Sequence, residues 1–206
     1  MLHRRFLLSL TTGIAGTAVL RRARGDATID QAVAFVRQTG DALVGVINGP
    51  GDDAQKRAAL AQIIDRTVDV PDVARFTLGR WWHVATPQQR QRYMEEFHQV
   101  LVTNIGAKLG QYEGVRFTVN RAVPAQGGVQ VDTTVVRPNQ PPTNVGWVIA
   151  NPAGNPKIVD VIAEGTSLRL TQRSDYGSFL AHNNSNIDAL INAMQHQVAQ
   201  NARGRS

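Results

Sequence analysis

The order of the sequence patterns predicts an α+β fold, in which a curved four-stranded antiparallel sheet carries helices on one face. Apolar residues recur at helical spacing in the first half of the chain. From Val115 they alternate, as in half-buried strands, and a helical pattern returns after Gly165. Short turns join the alternating runs, so consecutive strands should pair antiparallel. Helices followed by a block of strands and further helices are typical of an α+β domain.

Four helices precede the strands in this prediction. The first has its apolar positions between Ile29 and Ile47 and ends at the Asn-Gly-Pro-Gly turn, residues 48–51. Either Asp52 or Asp53 can cap the second helix. Residues 69–72, Asp-Val-Pro-Asp, break the chain and open a short third helix.

The fourth helix has the clearest start signal. Residues 86–89, Thr-Pro-Gln-Gln, combine a capping threonine, a proline at the first helical position and a glutamine that can bond back to the cap. The spacing of four predicts that its buried face is formed by Tyr93, Phe97, Leu101 and Ile105.

Four alternating runs follow, separated by turn sequences at residues 127–128, 139–142 and 151–155. Gly146, next to Trp147, indicates that one face of the sheet is thinned where another group packs closely. The alternating positions are Val115, Phe117 and Val119, then Val129, Val131, Thr133 and Val135, then Val145, Trp147 and Ile149, and finally Val159 and Val161.

The end of the last strand is the most informative segment. Residues 160–167, Asp-Val-Ile-Ala-Glu-Gly-Thr-Ser, close the strand, break it at Gly165 and place Ser167 where it can cap a helix. That helix contains residues 173–180, Arg-Ser-Asp-Tyr-Gly-Ser-Phe-Leu. A final helix starts near Ser185, and the tail, residues 197–206, is expected to fray.

Residues 160–167 and 173–180, together with residues 69–82 and 85–97, form a set of motifs. In their order and spacing, these motifs resemble the MlaC family of periplasmic phospholipid-binding proteins, also called toluene-tolerance auxiliary proteins. The similar stretch runs from about Ile63 to Met194. The resemblance implies a phospholipid carrier with no catalytic residues and no cofactor. It also implies an apolar, NTF2-like pocket between the sheet and the helices.

The resemblance further implies partners at both membranes of the cell envelope. One is an inner-membrane ABC transporter complex with an MCE-domain protein, and the other is an outer-membrane lipoprotein–porin complex. A carrier of this kind is expected to be a monomer in the periplasm that binds phospholipid and no nucleic acid.

The N-terminus is predicted to be an export signal, residues 1–25, followed by a single lipid-binding domain, residues 26–206. Basic residues at 3–5 precede an apolar run from Phe6 to Leu20. That run has fifteen residues, whereas a spanning helix needs roughly 17 to 25. Cleavage is therefore predicted, after export by the Sec or the twin-arginine route.

Charge and cysteine content exclude two function classes. The whole chain has 22 basic and 16 acidic residues, a net charge of +6, but residues 1–25 hold five arginines and no acid. The remainder has 17 basic and 16 acidic residues, so its net charge is +1 and nucleic-acid binding has no electrostatic support. The chain has no cysteine, which excludes disulfides and cysteine-based metal sites.

The remaining polar residues show no catalytic or metal-binding pattern. The histidines have no paired spacing that would suggest a metal site, and no glycine-rich nucleotide motif occurs. Asp160 lies within the last strand and could act as a proton-transfer base in an apolar cone. The favoured interpretation is that Asp160 pairs with Arg169 or caps a helix.

The pocket lining is predicted from alternation on the odd-numbered strand face and from apolar residues of the helices. The candidate lipid-contacting residues are Trp81, Phe97, Leu101, Tyr112, Phe117, Val131, Val135, Val145, Trp147, Ile149, Val159 and Val161.

Two alternatives to phospholipid carriage stay open at this point. The first is carriage of another apolar lipid, such as a hopanoid, because the sequence does not fix the ligand's shape. The second belongs to another class, a cofactor-free isomerase or hydratase with Asp160 as its base.

Overall fold

The computed structural model of the chain describes residues 16–203, with side chains over residues 28–201. The predicted export signal, residues 1–25, lies outside the residues whose side chains are described. In the described part, the helices are α1 (Gly16–Asn48), α2 (Asp53–Thr67), α3 (Val70–Leu78), α4 (Trp81–Val84), α5 (Pro87–Gly106), α6 (Leu168–His182) and α7 (Ile187–Arg203), with a short 3-10 helix at Leu109–Tyr112.

One antiparallel sheet contains all the strands of this part of the chain, in sequence order. The strands are β1 (Arg116–Ala125), β2 (Gly128–Val136), β3 (Thr143–Ala150), β4 (Lys157–Ala163) and β5 (Thr166–Ser167). The predicted α+β class and antiparallel order are confirmed. The sheet has one strand more than predicted, because the chain turns back after β4 and pairs with it briefly before α6 begins.

The predicted helix starts are confirmed by their caps. The side chains of Asp52, Asp69, Thr86 and Ser167 each accept a hydrogen bond from the backbone N–H three residues later, at 2.8 to 3.2 Å. Such caps satisfy backbone donors that the first helical turn leaves unpaired. These four side chains therefore fix where α2, α3, α5 and α6 begin.

The last helix differs from the prediction. Helix α7 continues to Arg203, beyond the point where the sequence predicts fraying. The side-chain oxygen of Asn104 on α5 accepts hydrogen bonds from Gln197 at 3.2 Å and Asn201 at 2.9 Å. Val198 packs against the core. These contacts hold the C-terminal turns of α7 on α5.

Helix α1 covers one face of the sheet, which we call the inner face. Its buried Ala32 and Val36 pack against Val131 and Ile149. The end of α1 is held beside the start of β1 by Asn48, which donates to the backbone oxygen of residue 115 at 3.1 Å and accepts from the N–H of residue 114 at 2.8 Å.

Three apolar clusters form the core. The sheet cluster consists of Ala32, Val36, Val129, Val131, Ile149 and Ile158. The connecting cluster consists of Leu60, Ile64 and Leu109. The helical cluster consists of Ala74, Leu78, Ala85, Tyr93, Phe97, Val100, Tyr176, Leu180, Ile187, Leu190, Ile191 and Met194.

The segment between α2 and α3 joins these clusters. Val68 packs against both the sheet cluster and the connecting cluster, and Val70 packs against both the connecting cluster and the helical cluster. Val68 also forms a parallel bridge with Ile158, and the Asp69 N–H donates to the Ile158 carbonyl at 3.0 Å. The free edge of β4 is thus covered at this end by the α2–α3 connection.

Candidate functional site

The inner face is apolar, and part of it is only half buried. Paired residues of neighbouring antiparallel strands share a face. Val131, Trp147 and Val161 are paired across β2, β3 and β4, and Val145 lies on the same face beside them. Val131 is fully buried, whereas Val145, Trp147 and Val161 keep part of their surface exposed. An apolar surface toward β3 and β4 is therefore left accessible on the inner face.

Trp147 is held in place by a short hydrogen-bond chain on this face. Its indole N–H donates to the Thr133 hydroxyl at 3.0 Å, and that hydroxyl donates to the Val145 carbonyl at 2.9 Å. Thr133 is almost completely buried. The polar edge of the indole is therefore satisfied within the sheet, and the rest of the ring can act as an apolar wall.

The other predicted strand residues occupy different surroundings. Ile149 and Val131 are fully buried beneath α1 in the sheet cluster. Phe117 is half buried, and its ring lies against the backbone of Gly40 in α1. Val135, paired with Phe117, is half buried at the end of β2. The predicted face is therefore one continuous face, partly covered by α1.

Among the predicted site residues, alternation fails at Val159 in β4. Val148 pairs with Asp160 but Ile149 pairs with Ile158, so β4 contains a bulge at Val159. A bulge adds one residue to a strand and interrupts the alternation of its side chains. The sequence predicts that Val159 lies on the odd-numbered face. In the structure, Ile158 rather than Val159 pairs with Ile149 on that face.

The predicted helical residues separate into different environments. Phe97 belongs to the helical cluster, and Trp81 packs against it. This cluster contains no strand residue. Leu101 packs against the connecting cluster, and Tyr112 lies under the guanidinium of Arg137, 4.9 Å from its ring centroid. The structure therefore does not bring Trp81 and Phe97 into the same core as the predicted strand residues.

Sequence reasoning missed the residue that joins the inner face to the helices. Val68 packs against the sheet cluster, as Trp147 and Val161 do, and also against the connecting cluster, as Leu101 does. The short alternation of Val68 and Val70 around Asp69 is a weak strand-like signal that could have indicated its pairing with β4.

Asp160 is occupied by structural contacts. It pairs with Val148, so it faces the outer side of the sheet, away from Trp147. Its carboxylate accepts hydrogen bonds from the Ser167 hydroxyl at 2.6 Å and the Arg169 N–H at 3.2 Å, and the Arg169 side chain lies 3.4 Å away. The favoured interpretation, pairing with Arg169 at a helix start, is confirmed. These contacts fasten α6 to β4.

The outer face over β1 to β3 is polar. Asp132 accepts hydrogen bonds from Gln130 at 2.7 Å and Arg121 at 2.8 Å. Burial alone would raise the pKa of the Asp132 carboxyl, but these hydrogen bonds and the charge of Arg121 bring that pKa below its ordinary value. A Cβ on Gly146 would lie 3.0 Å from the Gln130 side chain. The close packing that Gly146 indicates is therefore on the outer face.

The sequence motifs that carry the family resemblance pack against each other. The Thr77 and Tyr93 hydroxyls are 2.8 Å apart, and the Tyr93 and Tyr176 rings meet edge to face with centroids 6.1 Å apart. Burial raises the pKa of both tyrosines, and the neighbouring Asp175 raises that of Tyr176 further. These motif residues therefore form the interior between α3, α5 and α6 rather than a reactive site.

Neither a metal site nor a membrane span is found within residues 16–203. No group of three or more His, Cys, Asp or Glu side chains there is arranged to hold a metal ion. None of the helices in the same range combines the length and apolar character needed to cross a membrane. The half-buried apolar surface of Val145, Trp147 and Val161 makes the inner face the candidate site.

Comparison with known proteins identifies the family of this chain. The sequence model of the MlaC protein family matches residues 28–196. The toluene tolerance protein Ttg2D of Pseudomonas putida is 26% identical over 144 residues, which are 69% of this chain and 67% of that protein.

A solved structure shows the same fold. It is a phospholipid-binding protein from Ralstonia solanacearum in complex with a phospholipid, and it superposes with a TM-score of 0.71 at 20% identity. The similarity covers 82% of this chain and 98% of that one. With the family match spanning nearly all of the described residues, the chain belongs to the MlaC family.

Proposed function

We propose that this protein binds phospholipid through its acyl chains on the exposed part of the inner face and carries it between membranes. The observation that carries this proposal is the half-buried apolar surface of Val145, Trp147 and Val161, which continues through Val68 toward Leu101. A protein of the same fold has been solved with a phospholipid bound. An apolar surface open to a ligand is what such binding requires.

The acyl chains of a phospholipid contribute more to its binding free energy than the headgroup does. Burying one methylene contributes about 0.8 kcal/mol, so a chain of about 14 methylenes gains on the order of 11 kcal/mol before the costs of binding. A surface ion pair contributes about 0 to 1 kcal/mol. The carrier should therefore accept several phospholipids and discriminate weakly among headgroups.

Carriage is feasible because a bilayer and the inner face offer the acyl chains similar environments. A bilayer and an apolar protein surface solvate acyl chains almost equally, so transfer between them is close to isoenergetic. Direction must then come from partners, and we assign the periplasm as the compartment. The partners are an inner-membrane ABC transporter complex with an MCE-domain protein and an outer-membrane lipoprotein–porin complex, as the family membership suggests.

The contacts of Asp160 support binding rather than catalysis as the function. Its carboxylate is engaged by α6 and lies on the outer side of the sheet. A general base must reach the proton that it abstracts. A substrate on the inner face would lie on the opposite side of the sheet from this group.

The first test is the lipid content of the protein purified without detergent. Solvent extraction should release phospholipid at about one molecule per chain, and mass spectrometry of the extract separates phospholipid from a hopanoid. Val145→Glu should abolish this content, because it places a charge on the apolar site. Val123→Glu is the matched control, because Val123 pairs with Gln130 on the outer face and is already exposed. Lipid-free wild type, or equal loss in both variants, contradicts the proposal.

The second test addresses carriage. Donor vesicles containing a fluorescent phospholipid are mixed with unlabelled acceptor vesicles, and transfer is followed with and without the protein. Wild type and Val123→Glu should accelerate transfer, and Val145→Glu should not. A wild-type protein that holds lipid without accelerating transfer would show binding without carriage.

A further inference from the structure

A second surface, away from the inner face, holds two arginines against aromatic rings. The Arg80 guanidinium lies 4.3 Å from the Trp81 ring centroid, and the Arg173 guanidinium lies 4.9 Å from that of Phe76. Arg80 and Arg173 are both exposed. Cation–π contact of this kind fixes a guanidinium while leaving its N–H edge free to bind another group.

The backbone is shaped to accept one of these side chains. Gly79 has φ +61°, a conformation that favours glycine, and a Cβ there would lie 3.2 Å from Nε of Arg173. One turn further along α6, Gly177 lies beside the Trp81 ring, whose nearest atom is 3.6 Å from the position of its Cβ. Arg173 and Trp81 therefore lie close to each other, between α6 and the start of α4.

Exposed apolar side chains adjoin the two arginines. Val84 is 72% exposed and lies one turn after Trp81 in α4, and Leu170 is 56% exposed and lies one turn before Arg173 in α6. Aromatic and arginine side chains with an apolar centre are the composition of protein–protein interfaces. We call the set the arginine patch, and its members are Phe76, Arg80, Trp81, Val84, Leu170 and Arg173.

The two guanidiniums lack the partners that neighbouring arginines have. Arg169 pairs with Asp160 and Arg75 with Asp72. Among the ion pairs formed by the described residues, none includes Arg80 or Arg173. Stacked guanidiniums without carboxylates are prepared to bind carboxylates bidentately.

We infer that the arginine patch is a docking surface for an acidic segment of another protein, with at least two carboxylates flanking an apolar side chain. A protein is favoured over a lipid surface because electrostatic binding to anionic bilayers uses clusters of about four to eight basic residues. The patch offers two guanidiniums without a carboxylate partner, because a third guanidinium, that of Arg169 over the Phe76 ring, is paired with Asp160. Pre-ordering of the guanidiniums lowers the entropy cost of docking. The inference does not depend on lipid binding by the inner face.

The test uses the full chain and a defined probe, the peptide acetyl-Glu-Leu-Glu-Glu-Leu-Glu-amide. Binding is measured by NMR chemical-shift changes and at several salt concentrations. Shifts should concentrate on the indole of Trp81 and the amides around Gly79 and Gly177. The double variant Arg80→Gln/Arg173→Gln should weaken binding by about tenfold or more, because two charge-assisted hydrogen-bonding groups are lost.

Two matched variants separate the patch from net charge. Arg37→Gln/Arg116→Gln removes the same charge from exposed arginines elsewhere and should leave the affinity unchanged. Arg80→Lys/Arg173→Lys keeps the charge but loses the planar fork and should bind almost as weakly as the glutamine variant. Unchanged thermal unfolding of all three variants verifies folding.

Several results would overturn the inference. These are absence of peptide binding to wild type, equal weakening by the Arg37/Arg116 variant, or equal binding of the glutamine version of the peptide. Binding to phosphatidylglycerol vesicles that the patch variant loses, with peptide binding intact, would assign the surface to lipid instead.

Discussion

The ring of Phe117, on the first strand of the sheet, lies directly against the backbone of Gly40 in α1. A Cβ at Gly40 would overlap the ring atoms of Phe117. Gly40 is buried and lies in the middle of a helix, where glycine costs roughly 0.5 to 1 kcal/mol relative to alanine. The close approach of helix and strand is the physical reason for a glycine at this position.

Replacement of Gly40 should therefore destabilise the fold. Gly40→Ala forces Phe117 or α1 to move, and such overpacking costs about 1 to 3 kcal/mol. Gly45→Ala is the matched control, because Gly45 lies in the same helix, is exposed and has no neighbour within 4 Å of its Cβ position. It should stabilise by up to about 1 kcal/mol. Urea unfolding measures both, and equal stability of the two variants would refute the packing argument.

The two buried tyrosines of the helical cluster provide a second matched pair. The Tyr93 hydroxyl is hydrogen-bonded to Thr77, whereas the Tyr176 hydroxyl has no hydrogen-bond partner among the described residues. Tyr93→Phe should cost about 1 kcal/mol, and Tyr176→Phe should be neutral or stabilising. Denaturant unfolding compares them. A larger loss for Tyr176→Phe would show that its hydroxyl is bonded, for example to an ordered water.

Local signals account for what the sequence could predict of the fold. The capping side chains Asp52, Asp69, Thr86 and Ser167 bond within three residues, so their effect can be recognised without knowing the tertiary structure. The sheet order follows from short turns. The extension of α7 to Arg203 depends instead on Asn104, which is far away in the sequence.

The candidate site was predicted less completely because it depends on long-range packing. Alternation identified Trp147 and Val161 correctly as members of one face, but it could not distinguish Ile158 from Val159, since both are apolar and the bulge is set by pairing with β3. Spacing also predicted a buried Phe97. It could not show that this ring packs with other helices rather than on the sheet.

Asp160→Asn should weaken the attachment of α6 to β4 without affecting lipid. The change removes the charge beside the largely buried Arg169 side chain, and breaking a buried ion pair leaves a charge uncompensated. Because the amide still accepts one hydrogen bond, the expected loss of stability is about 2 to 4 kcal/mol. Adding Arg169→Gln should recover part of it. Phosphorus content per chain should stay constant, and its loss would place Asp160 at the binding site.

The Asp132 carboxylate on the outer face predicts that the stability of the folded protein depends on pH. The pKa of Asp132 is lowered in the folded protein, so its contribution to stability is present above the ordinary carboxyl pKa and is lost as pH falls through the lowered value. Arg121→Gln should raise the pKa of Asp132 by removing one hydrogen bond and one charge. A carbon NMR titration of the Asp132 carboxyl measures this directly. An unchanged titration would show that Arg121 contributes nothing.

Trp147 tests whether the exposed part of the inner face is the lipid site. Truncating a packed aromatic typically costs roughly 3 to 5 kcal/mol. Trp147→Ala should cost less in the lipid-loaded protein, because acyl chains can fill the space that the half-buried ring leaves. The melting temperatures of loaded and delipidated protein should therefore differ more in this variant than in wild type. Ile149→Ala is the control on the same strand and face, because Ile149 is fully buried under α1. For Ile149→Ala, the melting temperatures of the loaded and delipidated forms should differ by the same amount as in wild type. If Trp147→Ala also showed only the wild-type difference, Trp147 would be an ordinary core residue.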